Sequence, residues 1–377
     1  MRHTSNELYV DIIESLSVIF APSGRPISAR SHGSIAFTAK ISGVPDLLLT
    51  LNAPGGTSSA KSSGIARTMQ NPVFHPCVRL SRWKEHPGEL SFVPPDGRFM
   101  LGGYETDLMP TGLNNDQPPS QNDRIFLPAT IDLRPGLSSS GTEFEARLTL
   151  NNNFPGVASS SKPNASRSAS STGPFSFGSA NAGNSSAPSL EALVVTIPFP
   201  PDVRNVTELK PSRGEASFNA FDKVIEWKVP TKDGASINGV AVLTGTVIGP
   251  LNAPSSIVND DDNDVEASEL GKANSMAGYY EDETVSDRID PQRQGHIRST
   301  TAATGSNGAK KSQASRLLMP RSIAVSFNVK GWLPSGIKVD ALLVDVKKSK
   351  GLGDGVRPYK GVKYLTVSRQ GIERRIE

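Results

Sequence analysis

The chain has 377 residues, enough for one large domain or two ordinary ones with real cores. Its 36% hydrophobic and 20% charged residues are lean for a fully packed globule, and 34 glycines with 29 prolines favour turns over long helices. One cysteine, Cys77, excludes an internal disulfide framework, and a net charge of +3 without a dense basic stripe excludes a nucleic-acid binder.

The first segment, Glu7 to Ile13, alternates apolar with polar or amphipathic side chains, the period of a strand. A turn at Ala21 to Arg25 follows, then strand-like runs at Ile35 to Ile41, Leu47 to Leu51, Cys77 to Leu80, Glu89 to Val93 and Arg98 to Leu101. Between the last two, Pro94-Pro95-Asp96-Gly97 has the residue types of a tight turn. The same texture returns at Glu143 to Leu150, Ala192 to Ile197, Val224 to Val229, Ala241 to Val247 and Ile323 to Val329, and it closes with Lys338 to Asp345 and Val362 to Val367. Many short strands at turn-punctuated spacing, with no convincing amphipathic helix, predict an all-β protein of sandwich architecture. Stretches near 53–72, 157–189 and 251–318 are poor in large apolar groups and are expected to be long flexible loops between strands.

Catalytic signatures fail one by one. The histidines His3, His32, His75, His86 and His296 show no metal-binding spacing, so neither a metal nor another cofactor is expected. Gly351 to Gly355 mimics a phosphate-cradling loop but leads into Arg357-Pro358 and a strand, not into a helix. Glu143 and Glu145 alternate on one strand, the pattern of a solvent face. With no Gly-x-Ser-x-Gly elbow either, no catalytic residue is assigned. No positively charged segment followed by an apolar run opens the chain, and no stretch of about 18 apolar residues occurs, so a cytoplasmic location is expected.

Several segments resemble the mu homology domain, the C-terminal half of adaptor-complex medium subunits. They are Asn6 to Glu14, Phe74 to Leu80, Ser91 to Gly97, Ser335 to Val339 and Tyr359 to Tyr364, in matching order along nearly the whole chain. Within that family Pro358 to Tyr364 is similar to the medium subunit of the third adaptor complex. The family's N-terminal longin-like domain has no counterpart here, as expected of a fragment cut just before the cargo domain.

The resemblance implies an elongated pair of β-sandwich subdomains, the second inserted into the first. Subdomain A would comprise 1–136 and 333–377, and subdomain B 137–332, with loops near 157–189 and 251–318. It also implies a cargo module that takes Tyr-x-x-Φ signals, Φ being a bulky apolar residue, by adding the peptide to an exposed strand edge. The tyrosine pocket would comprise Tyr9, Asp11, Thr38, Gly361 and Lys363. The Φ pocket and edge strand would comprise Leu8, Val10, Val339, Leu342, Lys360 and Val362. For Leu8 and Val10, which alternate away from Tyr9, a place in the core is an equal alternative.

Implied partners are the cytosolic tails of transmembrane cargo and the other adaptor subunits, two large and one small. An anionic phosphoinositide membrane is a further candidate. The implied setting is the surface of Golgi, endosomal and coated-vesicle membranes, on the route to the lysosome or vacuole. Thr38, Gly361 and Lys363 replace a lysine, a tryptophan and an arginine of plasma-membrane relatives, which predicts weaker or differently selective signal binding. Two alternatives stay open: a scaffold of the same fold that binds accessory proteins or membrane without reading tyrosine, and a carbohydrate-active or carbohydrate-binding sandwich.

Overall fold

The computed structural model describes residues 3–54, 61–109, 125–151, 154, 188–231, 239–250, 317–352, 358–368 and 371–376, with the backbone alone for 61–63. In chain order the elements are β1 (Glu7–Phe20), β2 (Pro26–Lys40), β3 (Leu47–Asn52), α1 (Lys61–Thr68), β4 (Gln70–Phe74), α2 (Leu80–Glu85), β5 (Glu89–Phe92) and β6 (Gly97–Asp107). They continue as β7 (Ala129–Leu137), β8 (Glu143–Leu150), β9 (Ser189–Pro198), β10 (Asn205–Pro211), β11 (Glu215–Asn219), β12 (Val224–Val229) and β13 (Val240–Ile248). The last are β14 (Ser322–Lys330), β15 (Lys338–Val344), β16 (Tyr359–Val367) and β17 (Ile372–Arg375).

One ten-stranded sheet has the order β11-β12-β9-β14-β16-β1-β2-β6-β4, with β17 pairing to β1 and β14. A three-stranded sheet, β15-β3-β5, and a four-stranded sheet, β10-β13-β8-β7, complete two separate cores. The first core joins Leu8, Val10, Ile12 and Phe37 to Leu47, Leu49, Leu90 and Phe92. The second joins Val195, Ile197, Trp227 and Phe327 to Phe144, Leu148 and Leu243. The architecture is all-β sandwich, as the alternation of the sequence predicts.

β1 passes through both cores. Its even-numbered side chains point inward along its length, Leu8 to Ile12 into the first core and Leu16 and Val18 into the second. Between them Glu14 is completely buried. A carboxylate in such a place needs donors to replace water. Ser31 Oγ donates to Oε2 at 3.0 Å and the Ser335 amide to the same oxygen at 3.1 Å. Tyr104 Oη donates to Oε1 at 2.6 Å, and Ser335 Oγ also reaches Oε1. Gly33 allows this: a Cβ there would lie 2.1 Å from the Tyr104 ring, so only glycine lets the ring cross β2 to Glu14. The network also fixes the connector from β14 to β15 where the two cores meet.

Three features differ from the sequence reading. The run Cys77 to Leu80 is not a strand: Val78 makes one bridge to Phe92, and α2 begins at Leu80. Trp83 packs edge-on against Phe74 at 4.8 Å between ring centroids, and Arg79 forms a two-pronged pair with Asp46, 2.8 and 2.6 Å, fixing the helix start. The stretch near 53–72 contains α1, which buries Ile65, and the beginning of β4. β7 pairs with β8 and places Ala129, Ile131 and Leu133 in the second core, so that core draws on residues before 137. Apart from residues 188–189 and 317–318, the loop regions 157–189 and 251–318 lie outside the described residues, as does most of Gly351 to Gly355.

Candidate functional site

β16 runs parallel to β1 with Leu8 opposite Tyr359, Tyr9 opposite Gly361, Val10 opposite Val362 and Asp11 opposite Lys363. Lys360 is skipped in this register, so β16 carries a bulge at 360–361. Gly361 has φ +143 there, a backbone that side-chain-bearing residues rarely adopt. On its other side β16 is covered by β14 only from Leu365 to Val367, plus a Gly331 amide donating to the Tyr364 carbonyl at 2.8 Å. Among the described residues, no strand pairs with that side of β16 from Tyr359 to Lys363. The segment is an open edge of the large sheet.

The two faces beside this edge differ in chemistry. On the outer face a row crosses four strands, Gly361–Tyr9–Thr38–Arg98, followed by a second row, Lys363–Asp11–Ala36–Met100. All five residues expected at the tyrosine pocket therefore share one face. The Tyr9 hydroxyl donates to Glu7 Oε2 at 3.1 Å, and desolvation followed by that carboxylate pushes the phenol above its ordinary value. Asp11 Oδ2 accepts from Arg98 Nη2 at 3.3 Å. Lys363 is exposed, and its ammonium makes no ion pair within 4.0 Å of Asp11 despite sitting opposite.

On the inner face Leu8 and Val10 are fully buried in the first core, so of their two expected places the structure shows the core. Val362 and Val339 are half-buried at its margin, and Leu342 is buried beside them. The Val339 amide donates to Tyr364 Oη at 2.9 Å, which ties β15 to β16 at this margin. Burial pushes the Tyr364 phenol up, and burial with the nearby Tyr364 pushes Tyr359 up to about 12. Lys360, at the bulge, is exposed.

Sequence reasoning missed Arg98 and Glu7 as members of the outer face. Arg98 follows the turn glycine Gly97, and only the register through β2 reveals its proximity to Asp11. Two cations are already engaged, Arg79 by Asp46 and Arg82 by Glu89. Among the described residues no cluster of His, Cys, Asp and Glu could hold a metal ion, and no helix is long and apolar enough to cross a membrane.

Residues 1–376 match the profile of the adaptor complexes medium subunit family. The AP-3 complex subunit mu of Dictyostelium discoideum is 28% identical over 258 residues, 68% of this chain and 48% of that protein. The AP-3 complex subunit mu-2 of Homo sapiens is 28% identical over 230 residues, 61% of this chain and 41% of that protein. The chain thus spans less than half the length of these relatives. Among solved structures, a homology model of the full-length AP-3 complex in an intermediate open conformation aligns over 99% of this chain and 69% of its own, at 18% identity and a TM-score of 0.49.

Proposed function

This chain belongs to the adaptor complexes medium subunit family, and from that premise we propose that its first sandwich binds Tyr-x-x-Φ sorting signals in the cytosolic tails of membrane cargo. The observation that carries the proposal is the open edge of β16 with unlike chemistry on its two faces. A peptide added to that edge as a strand turns successive side chains to opposite faces. Tyr and Φ are three positions apart, an odd spacing, so they fall on opposite faces. The outer face offers Tyr9 as a ring to pack on and Asp11 as an acceptor for the phenol O–H. The inner margin offers Val339, Val362 and Leu342 to the apolar side chain, with Leu8 and Val10 as the packed layer beneath and the Lys360 stem at the rim. Burying Φ contributes roughly 1.5–3 kcal/mol, and with the edge hydrogen bonds this places the affinity in about the micromolar range.

The same proposal makes the chain a non-enzymatic cargo module whose partners are two large and one small adaptor subunit. It would act at Golgi and endosomal membranes in traffic to the lysosome or vacuole, with anionic phosphoinositide headgroups as a further contact. The division into a signal-reading sandwich A and an inserted sandwich B belongs to it too.

A second reading is favoured by one observation: Gly361 leaves no ring on β16 to face Tyr9. On that reading the fold serves as a scaffold for accessory proteins and ignores tyrosine. Calorimetric titration of Tyr-x-x-Leu, Ala-x-x-Leu and Tyr-x-x-Ala peptides separates the two. Signal reading requires that only the first bind; equal binding or no binding of all three supports the scaffold.

A further inference from the structure

The carboxylate at the centre of the outer face has one described side-chain partner, and it comes from two strands away. Arg98 is the second residue of β6, immediately after Gly97, whose φ of +89 closes the turn. It stands opposite Thr38 on β2, and Thr38 stands opposite Tyr9 on β1. Ala36 and Thr38 are the residues β2 presents between Arg98 and Asp11. Both are short, so the arginine lies across β2 and brings Nη2 to 3.3 Å from Asp11 Oδ2. Its side chain remains 62% exposed, against 24% for Asp11, and its contact takes one of five N–H groups. Asp11 Oδ1 has no partner among the described residues.

We propose that Arg98 is a specificity-determining residue for the hydroxyl of the signal tyrosine. A phenol has one proton to donate and lone pairs to accept. Asp11 Oδ1 takes the proton, and a second N–H of Arg98 donates into the phenol oxygen. The hydroxyl is thus held from both sides, and a phenylalanine at the same place leaves the carboxylate and the guanidinium facing an apolar ring edge. Lys363 does not take this part, because its ammonium is not within ion-pair distance of Asp11 although the two residues are cross-strand neighbours. The role rests on the signal-reading proposal above and adds to it a residue, Arg98, that the sequence did not single out.

The test is a set of calorimetric titrations of Tyr-x-x-Φ and Phe-x-x-Φ peptides with wild type, Arg98→Ala and Arg98→Lys. A merely structural arginine would weaken both peptides together. Arg98→Ala is expected to lower the tyrosine-to-phenylalanine affinity ratio about tenfold, with the phenylalanine peptide hardly changed, and Arg98→Lys to recover part of it. A surface arginine can be removed without unfolding the sheet, and an unchanged circular dichroism melt verifies that. Two outcomes overturn the role of Arg98 alone: an unchanged ratio in a chain that still discriminates, or tighter tyrosine binding by Arg98→Ala, which would make the arginine a blocking group. Wild type that binds neither peptide overturns the signal-reading proposal and this one with it.

Discussion

Removing the Tyr104 hydroxyl probes the buried junction between the two cores. In Tyr104→Phe the ring still packs over Gly33, and the single loss is a 2.6 Å hydrogen bond to Glu14 Oε1. Tyr104 is 4% exposed and Glu14 0%, so water does not replace the donor. A hydrogen bond to a charged group contributes about 1.5–3 kcal/mol, and the expected destabilisation is about 2 kcal/mol. Ser335 Oγ reaches the same oxygen, so it limits the first loss and makes the second more costly. Tyr104→Phe with Ser335→Ala should therefore cost more than the sum of the two single changes. Urea denaturation monitored by tryptophan fluorescence measures all four chains. A loss below about 0.5 kcal/mol for Tyr104→Phe, or strict additivity, would refute the assignment of this network as a coupled clasp.

Other expectations concern the edge and its surroundings. Gly361→Ala meets no atom within 4 Å, so its cost is the backbone strain of φ +143, about 1–3 kcal/mol in a thermal or urea melt. Arg79→Ala leaves Asp46, whose side chain is 9% exposed, without its counter-ion. A fully buried pair would cost about 3–5 kcal/mol to break, but the Arg79 side chain is 42% exposed, so about 2 kcal/mol is expected from the same melt. Alkaline solution should destabilise the first sandwich. Tyr359 is pushed from 10.0 to about 12, so its contribution is intact below pH 10 and is lost as pH rises through 12. The unfolded chain gives up the proton first, which fixes the sign, and Tyr104 and Tyr364 shift in the same direction. Stability measured from pH 8 to 11 should fall, and Tyr359→Phe should flatten the slope.

The legible parts of this protein are those governed by the two-residue period. Leu8, Val10 and Ile12 announce a buried face of β1 through spacing alone, and the same spacing puts Tyr9 and Asp11 together on the other. In the sequence the apolar period breaks at Ile13, because the next inward position is Glu14. Its donors come from positions 31, 104 and 335, distances that no local pattern encodes. Arg98 was hidden for the same reason, since its meeting with Asp11 depends on two strand registers. Helix α2 was hidden differently: Val78 and Leu80 suggest a strand, but Trp83 finds Phe74 and Arg79 finds Asp46 only after the chain turns. Thr38, Gly361 and Lys363 entered through the family resemblance, and the cross-strand rows put them on one face with Tyr9 and Asp11.

Calorimetric titration of a Tyr-x-x-Φ peptide against wild type and Asp11→Ala tests the central claim most directly. Asp11 is a surface residue on the outer face, so the variant keeps both cores. The account predicts binding in about the micromolar range by wild type and none detectable by Asp11→Ala. Equal affinity for the two chains would contradict it.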